Sequence, residues 1–136
     1  MLTPYLFYQD KCEAAFNYYA KVLGGKIEMM LRSEEAPADM PVAPERKKTI
    51  MHARMSIGDS VLMASDSPPE HHHKAQGFSV SLTITDAAEA ERKFKALADG
   101  GKVTMPFSKT FFSKGFGMCV DRFGIPWMVN CPAKGM

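Results

Sequence analysis

The chain has 136 residues, 46% of them apolar and 24% charged, with a formal net charge of +2. That length suffices for a compact body with its own core, and the interspersed charge leaves no basic footprint for nucleic acid. No apolar run approaches the ~20 residues of a membrane helix, and the opening MLTPYLFYQD lacks the basic start and long apolar stretch of a secretory signal.

In chain order, the first expected strand carries Leu6 and Tyr8 on one phase, with Thr3, Tyr5 and Phe7 on the other. A helix follows. Asp10 and Glu13 have the spacing of an N-cap and its partner three residues on, and Cys12, Ala15, Phe16, Tyr19, Val22 and Leu23 form an apolar stripe. Gly24-Gly25 ends it, a place where a left-handed cap is cheap only for glycine. Strands are expected over KIEMMLRS, KTIMHARMSI and SVLMAS, with a hairpin turn at Ile57-Gly58-Asp59-Ser60. The connection 33–47 is long, irregular and proline-containing, the pattern of a mobile flap. Its basic run Arg46-Lys47-Lys48 lies near Glu34-Glu35 and reads as a solvated loop.

After a linker at about 66–76, the pattern returns. FSVSLTIT, residues 78–85, sets Phe78, Val80, Leu82 and Ile84 against Ser79, Ser81, Thr83 and Thr85. Asp86 and Glu89 repeat the capping pair, and Ala87, Ala90, Phe94, Leu97 and Ala98 repeat the stripe. Gly100-Gly101 repeats the stop, and the strands KVTMPFS, KGFGMCV and PWMVNC complete the half. Sliding the chain by 76 positions matches Leu6, Asp10, Glu13, Ala14, Ala20, Gly24, Gly25, Lys26 and Met29 with identical residues, nine identities over positions 6–29. The chain is therefore expected to be α+β, two tandem βαβββ modules, at about 1–65 and 77–132, within a single domain spanning 1–136.

The segments TPYLFY, EAAFNYYAKVLGG, IMHAR, LMASD, GGKVTMP and FGMCVDRFGIPWMVN, taken together and in order, resemble the PhnB-like branch of the vicinal oxygen chelate superfamily, which includes glyoxalase I, extradiol dioxygenases and bleomycin-resistance proteins. The resemblance implies that each module curls its sheet into half of a barrel-like cleft. It also implies a two-fold homodimer in which the 33–47 flap reaches the neighbouring chain. Metal-dependent members place a His or Glu on the first and last strand of each module. The matching positions here are Thr3 (Pro4 within one residue), Met63, Ser79 and Met128, and none is a carboxylate or an imidazole. A divalent ion needs such donors, so no metal and no other cofactor is expected.

The expected ligand cleft takes Thr3, Tyr5, Phe7, His52, Arg54 and Met63 from the first module. From the second it takes Ser79, Ser81 and Met128, with Phe112 and Phe116 at its fringe. His52 and Arg54 share a strand face with Ile50 and Ser56, opposite Met51, Ala53, Met55 and Ile57. His52 is then either a titratable group beside a ligand, and the one candidate acid or base, or a partly exposed strand histidine. The run His71-His72-His73 reads as a solvated loop with capacity for adventitious metal. Met51, Met55, Met63, Met118 and Met128 suggest a methionine-rich interior, and Trp127 shares the core phase of Ile125 and Val129. Cys12, Cys119 and Cys131 are odd in number and form no C-x-x-C, as expected of reduced structural thiols in a cytoplasmic protein. The branch often carries a methyltransferase label, yet the sequence has no G-x-G turn between strand and helix, no parallel-sheet pattern and no phosphate-cradling loop.

Three functions fit these features. One is a metal-free protein binding an unidentified, partly apolar small molecule. A second is a superfamily enzyme (lyase, isomerase or oxygenase type) with a non-standard site at His52. The third is an assembly partner whose cleft is vestigial. The expected partners are a second copy of the chain and a small molecule, without nucleic acid or membrane.

Overall fold

The computed structural model describes residues 1–37 and 41–133. The chain divides into two compact units, Met1–His73 and Lys74–Met136. The first contains β1 (Tyr5–Tyr8), α1 (Cys12–Leu23), β2 (Lys26–Arg32), β3 (Ile50–Ile57) and β4 (Ser60–Asp66). The second contains β5 (Val80–Thr83), α2 (Ala87–Ala98), β6 (Lys102–Ser108), β7 (Ser113–Val120) and β8 (Pro126–Pro132). The strand orders, β1-β4-β3-β2 and β5-β8-β7-β6, are the same arrangement twice, so both units are βαβββ modules of an α+β fold. Each sheet joins one parallel pair (β1 with β4, β5 with β8) to antiparallel neighbours. The pair arises because the helix carries the chain across to the far edge, and two antiparallel steps, β2 to β3 to β4 and β6 to β7 to β8, bring the last strand back beside the first.

In the first unit α1 covers one face of the sheet, and Leu6, Tyr8, Ala53, Met55, Leu62 and Ala64 are buried beneath Ala15, Phe16 and Tyr19. A buried hydrogen bond from the Tyr8 hydroxyl to that of Tyr19, 3.1 Å, ties β1 to the helix. Gly24 closes α1 at φ 72°, the left-handed cap its position calls for. The cap at the other end is not the expected one. Asp10 takes φ 62° and its carboxylate turns to Arg46, 3.3 Å away. Asp66, at the end of β4, replaces it: Oδ1 accepts the Cys12 N–H and Oδ2 the Ile50 N–H, each at 2.9 Å. Glu13, the expected capping partner, instead accepts from Arg32 Nη2 at 2.6 Å.

In the second unit the expected cap forms, with Glu89 N–H donating to Asp86 Oδ2 at 2.9 Å. α2 packs on β6, β7 and β8, burying Ala90, Phe94 and Leu97 against Cys119, Trp127 and Val129. Close packing explains Gly117, where a Cβ would meet the Phe94 ring at 2.8 Å and Phe107 Cα at 3.0 Å. The expected strand 78–85 is shorter, Val80–Thr83, because only these residues pair with Trp127–Asn130 of β8.

The connection 33–47 contains two short 3-10 turns, Ser33–Glu35 and Pro44–Arg46. Its ends are tied together by Ser33 N–H to Thr49 O (2.8 Å), Glu34 N–H to Lys47 O (3.0 Å) and a Lys48–Glu34 ion pair (3.1 Å). The middle of the expected flap, 38–40, lies outside the described residues. Among the described residues no helix is long and apolar enough to cross a membrane.

Candidate functional site

Each sheet has one face against its helix and one face without a helix, and the period-2 alternation decides which side chains reach the second. In the first unit the register aligns Tyr5, Met63, Arg54 and Met29 as a row across β1, β4, β3 and β2. Phe7 pairs with Ser65, and Leu31 with His52, in the next row of the same face. Five of the expected ligand residues, Tyr5, Phe7, His52, Arg54 and Met63, thus share one helix-free surface. Phe7 is 57% exposed and Met29 47%, so large apolar groups stand there uncovered. Thr3 precedes β1 by two residues and is half-buried; its neighbour Pro4 accepts the Met63 N–H at 3.0 Å through its carbonyl.

The side chains also interact across the rows. The Tyr5 hydroxyl lies 3.2 Å from His52 Nδ1, and the two rings stack with centroids 5.8 Å apart and 27° between planes. Phe7 extends the cluster, its ring centroid 5.0 Å from that of Tyr5. Ile50 departs from the expected face. It is buried because β2 and β3 slip register between Leu31 and Arg32 at that end.

In the second unit the corresponding face carries Ser81, Met128, Met118 and Met105 in one row. Thr83, Asn130 and Phe116 form the next, and Phe116 packs edge-on against Phe112, 5.3 Å between centroids. Ser79 lies one residue before β5 and is half-buried; Ser81 stands level with Met128. Of the five methionines expected inside, Met55 is fully buried, while Met51, Met63, Met118 and Met128 are half-buried. Trp127 is buried on the helix side, its indole N–H donating to Asp121 Oδ2 at 2.8 Å.

Asn130 is the residue the sequence reading passed over. Its Oδ1 is buried with no hydrogen-bond partner, in the middle of the helix-free face. Buried acceptors rarely stay unsatisfied, so an ordered water or another donor from outside the chain would complete this one. Its alternation with Trp127 and Val129 along β8 was the available signal.

The donor set on these faces does not fit a divalent ion. Met63 stands between Tyr5 and Arg54, and Met128 between Ser81 and Met118. On each face the thioether and its register neighbours supply no carboxylate, and the first face adds a single imidazole, His52, beside the Arg54 cation, too few donors for such an ion. Among the described residues no three His, Cys, Asp or Glu side chains gather at one point. The His71–His73 run does not converge: Pro69–His71 forms a 3-10 turn and His72 Nδ1 lies 3.3 Å from Ser67 Oγ. All three cysteines are free and buried. Burial pushes the Cys12 thiol well above its ordinary value, reinforced by Asp66 and Glu13, and burial beside Asp121 pushes Cys119 up to about 11. Neither is a nucleophile at neutral pH.

Residues 1–130 match the model of the family described as 3-demethylubiquinone-9 3-methyltransferase. Protein YjdN of Escherichia coli (strain K12) is 34% identical, over 95% of this chain and 93% of its own. The crystal structure of protein PA1353 from Pseudomonas aeruginosa superposes with a TM-score of 0.90 at 44% identity, covering 97% of both chains. The PhnB protein from Bacillus cereus gives a TM-score of 0.76 at 26% identity, covering 95% of this chain and 97% of that one.

The family description names a methyl transfer, and a nucleoside methyl donor needs a glycine-rich strand-to-helix turn or comparable cradle. The two such turns here, residues 9–11 and 84–86, contain no glycine. Both helix N-termini already hold carboxylates, Asp66 on Cys12 N–H and Asp86 on Glu89 N–H. These residues do not fit that cofactor. With the repeated βαβββ fold and a family match over nearly its whole length, the chain belongs to the PhnB-like family of the vicinal oxygen chelate superfamily.

Proposed function

We propose that the protein binds a small, partly apolar molecule without a metal, held on the helix-free faces of its sheets. The observation that carries this reading is the first-unit surface, where exposed Phe7 and Met29 and half-buried Met63 surround a few polar groups, Tyr5, His52 and Arg54. Mostly apolar walls with a small number of placed polar groups are the usual make-up of a small-molecule site. The unpartnered Asn130 Oδ1 supports the same use for the second face. Native mass spectrometry of gently purified protein tests the reading. A small organic adduct, displaced on denaturation, is expected; a bound metal ion in its place would overturn it.

A second reading, acid–base catalysis by His52, rests on the Tyr5 hydrogen bond, which orients the imidazole as a neighbour orients a catalytic base. Among the described residues no carboxylate or nucleophile is hydrogen-bonded to the pair, so binding is the favoured function.

We also propose that the binding form is a homodimer in the cytoplasm. The edge strand β6 exposes Val103 and Met105, 45% each, and unpaired edges bearing apolar side chains invite a second chain. Three buried free thiols fit a reducing compartment.

A further inference from the structure

Arg54 sits half-buried on the helix-free face of the first sheet, at one register level with Met63 of β4 and Met29 of β2. Its charge has no counter-ion among the described residues. By contrast Arg32, Arg46 and Arg122 pair with Glu13, Asp10 and Asp99 at 2.6, 3.3 and 3.2 Å. Arg92, the remaining arginine, is exposed on α2, where water solvates it. A guanidinium that has lost part of its hydration among thioethers, and gained no carboxylate, is a standing attraction for an anion.

The neighbours add to this. His52 lies two residues earlier on β3, so its side chain emerges on the same face roughly 7 Å along the strand. When the Tyr5 hydroxyl donates to Nδ1, the neutral imidazole carries its proton on Nε2 and offers a second donor. Lys26 continues the same face beside Ser56. The carboxylate of β2, Glu28, is the extra residue of the bulge between Ile27 and Met29, exposed to water and in no ion pair with Arg54 among the described residues. The face therefore combines positive charge with an apolar surround.

We infer that this face selects an organic anion: a carboxylate or similar acid group on the Arg54 guanidinium, His52 as second donor, and an apolar body over Met63 and Phe7. Tyr5 is a positioning residue that sets the His52 tautomer. The inference rests on the small-molecule reading above and narrows it to a charge class.

The test compares 2-naphthoate with its neutral counterpart 2-naphthamide, titrated into the full chain and followed by ¹H–¹⁵N spectra and calorimetry. Wild-type protein should bind the acid at least about tenfold more tightly, the scale of one charge-assisted contact. Arg54→Gln should remove that preference while keeping amide binding, and Arg54→Lys should retain part of it. Equal affinity for acid and amide in the wild type would overturn the anion assignment and leave small-molecule binding standing. Preference surviving in Arg54→Gln would also overturn it. If neither probe binds at millimolar concentration, both readings fall. Should Arg54→Gln not fold, the wild-type comparison of acid with amide decides alone.

Discussion

The Tyr5 hydroxyl and His52 Nδ1, 47 residues apart in the chain, meet at 3.2 Å across the helix-free face of the first sheet. The contact joins β1 to β3 over the intervening β4, so the sheet register itself holds it. A phenol donating to Nδ1 should fix the Nε2–H tautomer. Imidazole ¹⁵N spectra should therefore show Nε2 protonated and Nδ1 not, and Tyr5→Phe should return the ring to a mixture of tautomers. Unchanged spectra in Tyr5→Phe would mean that the contact does not set the ring's state.

Asp121 anchors the second unit. It is 3% exposed; Oδ1 accepts the Phe123 and Ile125 N–H groups at 2.9 and 3.0 Å, and Oδ2 accepts the Trp127 indole at 2.8 Å. An amide at this position would aim a donor at one of these donors. Asp121→Asn should cost about 2–4 kcal/mol in denaturant unfolding, since it weakens charge-assisted bonds and leaves a buried donor unmet. A loss below about 1 kcal/mol would show the turn to be held by other contacts.

Much of this architecture was legible in the chain. Gly24 and Gly100, the capping Asp86, the alternation through Ser81 and Leu82, and the 76-residue repeat all report local geometry or its duplication. What escaped depends on partners distant in sequence. Asp10 has the right spacing to cap α1, yet the cap comes from Asp66, 54 residues beyond Cys12, because β4 ends beside the helix start. Ile50 has the phase of His52 and Arg54, yet a register slip against β2 buries it. The five expected residues of the first face were identifiable from alternation, whereas the Tyr5–His52 contact and the orphaned Asn130 oxygen require the strand order.

The two faces of β5 should respond oppositely to bulk. Ser81→Trp adds a ring to the exposed face and should cost less than about 1.5 kcal/mol, while Val80→Trp, level with buried Trp127, should cost roughly 1–3 kcal/mol. Denaturant melts of both variants give the comparison. Greater damage from Ser81→Trp would mean that this face is filled by the protein itself.

Alkaline pH should weaken the fold through Cys119. Its thiol is held protonated up to about 11 by burial and by Asp121, against an ordinary value of 9.0. The folded state then binds the proton more tightly than the unfolded chain, so this contribution is intact below about pH 9 and falls as pH rises toward 11. Thermal melts between pH 8 and 11 should show the decline, and Cys119→Ala should lessen it, the remainder coming from Cys12, whose buried thiol is also held protonated. The three thiols should also resist a disulfide reagent at pH 8 until denaturant is added. Rapid labelling of native protein would contradict their burial.

Association can be read from sedimentation at micromolar concentration. The edge strand β6, with Val103 and Met105 exposed, leads us to expect twice the 15.1 kDa of one chain. A single species at 15.1 kDa would rule out the proposed dimer under those conditions.

Metal-free binding on the helix-free faces is tested most directly by mapping amide shifts while a small-molecule library is titrated in the presence of a strong chelator. The His71-His72-His73 run is replaced by serines to remove adventitious ion capture. Saturable shifts are expected along β1, β3 and β4 around Tyr5, His52 and Met63, with the same affinity whether or not the chelator is present. Binding that vanishes with the chelator and returns with one equivalent of a divalent ion would contradict the donor chemistry of Met63 and Met128 and the function built on it.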